Sequence, residues 1–511
     1  MTRSVVIVGG GTAGWITAGV LAARLHADRP DGVKVTLVES PNVPTIGVGE
    51  GTWPTIRTTL KQMKVSEFDF LRACDASFKQ GSKFRGWTDG ADSYHHPFMV
   101  PKGFDEINLA TDWAADARGL SFGDAVAFQP SLCERNLAPK ALSTPEFQAI
   151  ATYAYHLDAG KFATFLRDHC TQKLGVTHIL ADVTRLETDS DGYIAAIHCQ
   201  GGTRIAGDLF VDCTGFRAML IGAHYGASFI EVGDQLFIDR AVALPVAYAH
   251  ADDPIASVTL STAQRAGWIW DIGLTSRRGT GHVYSSRFIS DDEALADLSA
   301  YAGRPVTETE ARRIVIRSGY RDRFWVKNCV AVGLAMGFVE PLEASSIVMA
   351  ELAAQMLAEQ MPADRAMMAV VEKRYNALFR YRWQRIIDFL KLHYVLSRRE
   401  EPFWVANRDP ETIPDSLKDL LTVWKQRFPW HDDLPQKDEI FSDASYQYVL
   451  YGMGFETTLP DWARLSFDKA VADKHRREVD RARAAVGQLP GNRELLTHIR
   501  AMAQGAVAVP S

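Results

Sequence analysis

The run Gly9-Gly10-Gly11-Thr12-Ala13-Gly14 constrains the fold more than any other stretch of the chain. It follows Ser4-Val5-Val6-Ile7-Val8, an unbroken apolar run of strand length, and it leads into residues 15–23, whose length and spacing are helical. Strand, Gly-x-Gly-x-x-Gly turn and helix is the order a dinucleotide site requires. In it Gly9 permits the tight turn, Gly11 lets the backbone approach a pyrophosphate, and Gly14 lets helix and strand pack closely. Thr12 and Ala13 open the helix whose N–H groups face the anion. A second strand, residues 33–38, ends at Glu39, where a carboxylate can hold ribose hydroxyls. An acid at that place favours an unphosphorylated ribose, so FAD or NAD is expected; the turn does not choose between them.

With 511 residues the chain can form two or three domains, or one large α/β core with a helical appendage. A net charge of -6 gives no nucleic-acid footprint. Cys74, Cys133, Cys170, Cys199, Cys213 and Cys329 are scattered, without metal-ligand or redox spacing, so no metal is expected and a reducing compartment fits. No apolar stretch reaches membrane-spanning length, and no charged leader precedes the first strand. The expectation is a cytoplasmic protein with neither a membrane nor a nucleic-acid partner. A homodimer is the base-rate expectation for its assembly.

After Glu39, residues 41–54 form a loop too rich in Gly and Pro for a regular element, and loops hung on a nucleotide-binding core often touch the cofactor. Helices are expected near 55–63, 145–155 and 159–174, with Lys79 and Lys83 four residues apart on one helix face. Tyr94-His95-His96-Pro97-Phe98 is an aromatic and histidine cluster that could line a pocket or equally belong to the core. Strands are expected at 177–186, 193–198 and 208–216, through 257–289 and at 329–332. Helical spacing dominates from 362 onward, punctuated by prolines. The chain thus divides into an α/β domain over 1–360 with inserted strands, and a mainly helical part over 361–511.

Several stretches together resemble the flavin-dependent tryptophan halogenase family, and the resemblance extends over nearly the whole chain. Gly9 to Gly14 match its FAD fingerprint. Ile46-Gly47-Val48-Gly49-Glu50 match the loop that straps the flavin, Ser77-Phe78-Lys79 the segment with the essential lysine, and Gly267-Trp268-Ile269-Trp270-Asp271-Ile272 the Trp-x-Trp-x-Ile-Pro signature. Gly337-Phe338-Val339-Glu340-Pro341-Leu342-Glu343 match the segment with the catalytic glutamate. Two positions depart from the family pattern. Gly273 stands where the signature has proline, and Ala344-Ser345-Ser346 where Ser-Thr-Gly is usual. Glycine reaches backbone angles that serine adopts only with strain, so the change at 346 is expected to bear on halide preference.

The resemblance implies a Rossmann-like fold of the flavin monooxygenase type and a halogenase that uses FADH2, O2 and chloride or bromide. FADH2 would come from a separate NADH-dependent flavin reductase, since only one dinucleotide fingerprint is present. Val183, Leu334 and Ile347 join the flavin-contacting set, and backbone N–H groups at Ser345 and Ser346 would hold halide at a helix start. Lys79 would relay hypohalous acid to an indole-type aromatic substrate, with Glu343 as general base. Trp268 and Trp270 would wall the flavin from the substrate pocket; His95, His96, Pro97, Phe98, Trp404 and Tyr448 supply a flat apolar lining. An FAD-dependent aromatic monooxygenase is the alternative, and a non-catalytic carrier of reduced flavin a more distant one.

Overall fold

The computed structural model describes residues 2–43, 49–465 and 467–503. The apolar run Ser4–Val8 is a strand with four of five residues buried, because a β-branched run suits a pleated surface covered on both faces. Val5, Val6 and Ile7 are at most 1% exposed, each burial worth roughly 1.5–3 kcal/mol. Ser4–Val8 pairs in parallel with Lys34–Glu39 on one side and Leu209–Asp212 on the other. Thr177–Leu180 closes one edge of this six-stranded sheet; Cys329–Ala331 and then Trp325–Val326 extend the other, the last pair antiparallel. The helix Thr12–Arg24 packs on the helices Ala159–Lys173 and Ser345–Glu359.

The chain condenses into two compact units, each assembled from three segments. The first holds Met1–Ala76, Leu157–Val232 and Arg317–Trp383, and therefore the nucleotide-type sheet. The second holds Ser77–His156, Gly233–Ile316 and Gln384–Ser511. Residue 360 is thus not where these units part, because two inserted stretches group with the C-terminal segment.

The second unit is built on a seven-stranded sheet. Its order is Arg312–Val315, Arg240–Val246, Arg278–Tyr284, Gly267–Gly273, Thr259–Gln264, Gly81–Arg85 and Ser93–Pro97. Every neighbouring pair is antiparallel except Thr259–Gln264 with Gly81–Arg85. The C-terminal segment is mainly helical, as expected, with Pro402–Asn407, Asp415–Trp424, Asp443–Gly452, Lys469–Ala485 and Asn492–Ala503. Among the described residues no helix is long and apolar enough to cross a membrane.

Two helix expectations fail. Lys79 and Lys83 lie on the strands Ser77–Lys79 and Gly81–Arg85, not on one helix face. Gly81 between them has φ 140° and would drive a Cβ to 2.3 Å from the His96 carbonyl oxygen, a conformation no helix allows. Residues 145–153 are irregular, and Ala154–Asp158 is a strand whose Ala154, Tyr155 and His156 pair with Lys79, Phe78 and Ser77. Local helical spacing lost there to tertiary strand pairing.

Candidate active site

The glycine turn in the first unit has the form its sequence demands. Gly9 has φ 117°, and a Cβ there would stand 2.1 Å from the Cys213 carbonyl oxygen; a Cβ on Gly14 would stand 1.9 Å from that of Gly9. Around Gly11, by contrast, a Cβ would meet nothing within 4 Å. Gly11 is also the N-cap of Thr12–Arg24, which has no side-chain cap and no acid in its first turn. Open space beside uncapped N–H groups fits a pyrophosphate. The Glu39 carboxylate shares a 2.9 Å hydrogen bond with His178 Nε2 and stays partly exposed.

Of the other residues expected at the cofactor, Leu334 lies beside this turn. A Cβ on Gly333 would stand 2.5 Å from the Ala13 Cβ, so the turn Gly333–Ala335, with Leu334 at its centre, lies against the helix start. Val183 follows Asp182, whose carboxylate accepts from Ser40 Oγ at 2.5 Å just past the end of the Glu39 strand. Gly49 begins the short strand Gly49–Gly51. Gly47 and Val48, with Ile46, lie outside the described residues.

The segment expected to hold halide makes a second uncapped helix start. Ser345–Glu359 begins with Ala344 as N-cap, without a side-chain cap or first-turn acid, so Ser345 is the first helical residue and not the cap. The left-handed angles expected to matter at Ser346 fall three and two residues earlier, on Glu343 (φ 61°) and Ala344 (φ 55°). Glu343 is 8% exposed and Ile347 is buried in the first turn. The Ala344 N–H donates to the Pro341 carbonyl at 2.9 Å, and the Trp53 indole Nε1–H donates to the Glu343 carbonyl at 2.7 Å.

Further along the same helix, Glu351 is 1% exposed and accepts from Thr59 Oγ1 at 2.6 Å and Thr55 Oγ1 at 3.2 Å. Burial pushes its carboxyl up to about 8. Sequence reasoning singled out neither Trp53 nor Glu351. Nothing local marks them, since their partners lie about 290 residues away.

In the second unit Lys79 ends the strand Ser77–Lys79 and is 1% exposed, its Nζ 5.3 Å from the centroid of the Phe98 ring. Its strand is anchored on each side: Ser77 Oγ donates to the Gly273 carbonyl at 2.5 Å, and Asn492 Nδ2 to the Phe78 carbonyl at 3.1 Å. Register places His156 opposite Ser77 and on the same sheet face as Lys79. His156 shares a hydrogen bond with Thr259 Oγ1 at 2.9 Å; burial first, and the Lys79 ammonium second, hold its imidazole well below the ordinary value. It therefore stays neutral beside the lysine. Sequence reading missed it because only strand pairing brings residue 156 to residue 79.

Register also sorts the expected tunnel residues. Tyr94, Phe84, Ser261, Trp270 and Gly281 form one cross-strand row, and His96, Ser82 and Thr259 the next row on the same face. Trp270 needs Gly281, where a Cβ would stand 2.1 Å from its ring; Trp268 packs on Trp87 at 6.1 Å. His96 lies 6.1 Å from the Tyr448 ring, and Tyr448 Oη donates to the Met99 carbonyl at 2.9 Å. His95 and Pro97 point to the opposite face. His95 sits beside Lys83 there, 3.4 Å from the Glu134 carboxylate, so it does not share a lining with His96. Trp404 is a core residue, packed among Trp87, Tyr394 and Phe403 with its N–H on the Gln264 carbonyl at 2.9 Å.

An open glycine turn at the end of a parallel strand, with a carboxylate on the neighbouring strand, defines a dinucleotide-binding α/β protein. Known proteins specify which. A family model described as tryptophan halogenase matches residues 4–465. The chain is 35% identical over 485 residues to the tryptophan 6-halogenase ThaL of Streptomyces albogriseolus, covering 88% of this chain and 89% of that one. Among solved structures, a tryptophan halogenase from Shewanella frigidimarina NCIMB 400 superposes with a TM-score of 0.95 at 44% identity, covering 99% and 98% of the two chains. BrvH, a flavin-dependent halogenase from Brevundimonas sp. BAL3, superposes at 0.86 with 34% identity over 98% and 99%. The chain belongs to the tryptophan halogenase family and is a flavin-dependent enzyme.

Proposed function

We propose that this protein halogenates an indole-type aromatic substrate, with tryptophan and indole as the first candidates, using FADH2, O2 and chloride or bromide. ThaL and the Shewanella protein are named as tryptophan halogenases, which supports the substrate class. The observation that carries the reading is the uncapped start of Ser345–Glu359 behind the left-handed pair Glu343–Ala344. Its free N–H groups and helix dipole suit a small anion.

Gly11, Thr12, Ala13, Gly14 and Glu39 would hold the dinucleotide, with Val183, Leu334 and Ile347 beside it. Reduced FAD, when bound, supplies the two-electron activation of O2 that converts halide into hypohalous acid. The Ser345 and Ser346 N–H groups fix the halide for that step. Lys79, as the ammonium, hydrogen-bonds hypohalous acid and polarises its halogen; as the amine, it exchanges a proton for halogen to give a haloamine and water. Either form delivers the halogen to ring carbon, and the ring proton passes to the Glu343 carboxylate, restoring aromaticity. A neutral His156 adds no second cation beside the lysine. FADH2 would come from a separate NADH-dependent reductase, consistent with a single dinucleotide turn.

The test is mass spectrometry of products from tryptophan and from indole, with FAD, a flavin reductase, NADH and O2, run separately in chloride and in bromide. A halogen isotope pattern is expected, and hydroxylated product independent of halide would establish a monooxygenase instead. Lys79→Ala is expected to bind FAD and release hypohalous acid while yielding no halogenated substrate. Halogenated product at the unmodified enzyme's yield would remove the lysine from the mechanism.

A further inference from the structure

The seven-stranded sheet of the second unit carries Trp270 and His96 on one face and a set of charges on the other. On that second face His95, Lys83, Leu260, Asp271 and Thr280 form one cross-strand row. Leu260 thus separates a cation from an anion whose strands lie roughly 9–10 Å apart. Arg85 falls in the next row on one side, and Arg278 in the next row on the other, opposite Gly273. A cavity of about 240 Å³ opens among Lys83, Arg85, Glu134, Asp271 and Arg278, with Val258, Leu260 and Tyr248 also lining it. All of these belong to the second unit. Trp270 and Asp271 are successive residues of one strand and point to opposite faces, so this cavity is separate from the expected tunnel.

One wall depends on a residue that departs from the family pattern. A Cβ at Gly273 would stand 2.9 Å from Ile255 Cγ2 and 3.2 Å from Tyr248 Oη, which donates to the Leu274 carbonyl at 3.0 Å. A proline there would push the Tyr248 wall away from the strand.

The charges are unevenly paired. Lys83 bonds Glu134, while Arg278 Nη1 donates to Asp271 Oδ2 at 2.8 Å and Tyr301 Oη donates to the same oxygen at 3.1 Å. Among the described residues no hydrogen bond ends on Asp271 Oδ1, and the exposed Arg85 guanidinium forms neither an ion pair nor a hydrogen bond. Asp271 is only 3% exposed, and burial raises its carboxyl against the opposing pull of Arg278 and Tyr301. A cationic donor on Oδ1 would offset that burial, and a carboxylate would fill the planar fork of Arg85. Arg85 is close enough for its charge to bear on the Asp271 carboxyl, so one small molecule can span both.

We propose that this cavity binds a free α-amino acid with a short apolar side chain, its carboxylate on Arg85, its ammonium on Asp271 and its side chain over Val258 and Leu260. The volume lies below the roughly 300–1,000 Å³ that drug-sized ligands occupy, which suits so small a molecule. The inference is independent of the halogenation reading.

Isothermal titration calorimetry of the full chain, with alanine, valine and leucine as probes, tests it. Saturable binding of at least one is expected. Its amide, which lacks the carboxylate, and its deaminated acid, which lacks the ammonium, should each bind about tenfold or more weakly, the loss of one charge-assisted hydrogen bond. Arg85→Ala is expected to raise the Kd by a similar factor with no change in the unfolding midpoint, since the residue is exposed. Gly273→Ala should also weaken binding, through the displaced Tyr248 wall and with every charge in place. Crystals soaked with the bound amino acid are expected to show it between Arg85 and Asp271. No binding of any of the three up to about 10 mM would overturn the proposal. So would a deaminated acid that binds as tightly as its amino acid, a Kd unchanged in both variants, or an amino acid found only elsewhere in the crystal.

Discussion

Two helix starts in the first unit, at Thr12 and at Ser345, present uncapped N–H groups by opposite means. The first is made by glycines: Gly9 takes φ 117° without a Cβ penalty, and Gly11 leaves open space where an anion can approach. The second places left-handed angles on Glu343 and Ala344, which resist them, and retains them through hydrogen bonds with Pro341 and Trp53. A turn whose shape is intrinsic to its residues keeps it wherever the fold puts it. A turn held against its preference depends on distant partners and responds to changes in them.

The sharpest way to break the comparison is at Gly14. Gly14→Ala puts a Cβ 1.9 Å from a backbone oxygen that has no rotamer to escape through. A stability loss of about 3 kcal/mol or more is expected, with FAD binding abolished, read by urea unfolding and flavin fluorescence. Retained FAD affinity would mean the turn is not self-determined.

Glu351 gives the next effect, on the second turn's scaffold. Its carboxyl lies at about 8 against an ordinary 4.5, so between those values the folded protein keeps a proton that the unfolded chain releases. Stability from this group is therefore greatest below about pH 4.5 and falls as pH rises toward 8. Glu351→Gln cannot ionise and is expected to be more stable than the unmodified protein by on the order of 4 kcal/mol at pH 8, with little difference near pH 4.5. Equal unfolding midpoints at pH 8 would show that Glu351 does not carry this pH dependence.

Gly11→Ala should do least. A Cβ there meets no protein atom, so the unfolding midpoint is expected to stay put while the FAD Kd rises about tenfold through lost room for the pyrophosphate. A stability loss as large as that of Gly14→Ala would erase the distinction between packing glycine and ligand-facing glycine.

The same contrast explains what was legible. Strand, turn and helix at residues 4–24 could be read directly, because apolar runs and glycines act locally. Resemblance supplied Lys79 and Glu343 as site candidates, although spacing had put Lys79 and Lys83 on a helix that Gly81 forbids. His95 and His96 are adjacent in sequence, and only the pairing of Ser93–Pro97 with Gly81–Arg85 sends them to opposite faces. Trp404, aromatic and in the C-terminal segment, read as pocket lining until its neighbours proved to be other core rings.

The sequence by itself determined the dinucleotide turn, the parallel strands beside it, the helical C-terminal part and the family. The first three rest on residue-intrinsic preference or on periodicity along a few turns of chain, and the family on the resemblance of several motifs. Tertiary structure alone decided which residues group with the C-terminal segment, that His156 faces Lys79, and that Trp53 and Pro341 hold the Glu343–Ala344 peptide. Those arrangements depend on strand register and on hydrogen bonds between residues far apart in the chain, where no local preference records the partner.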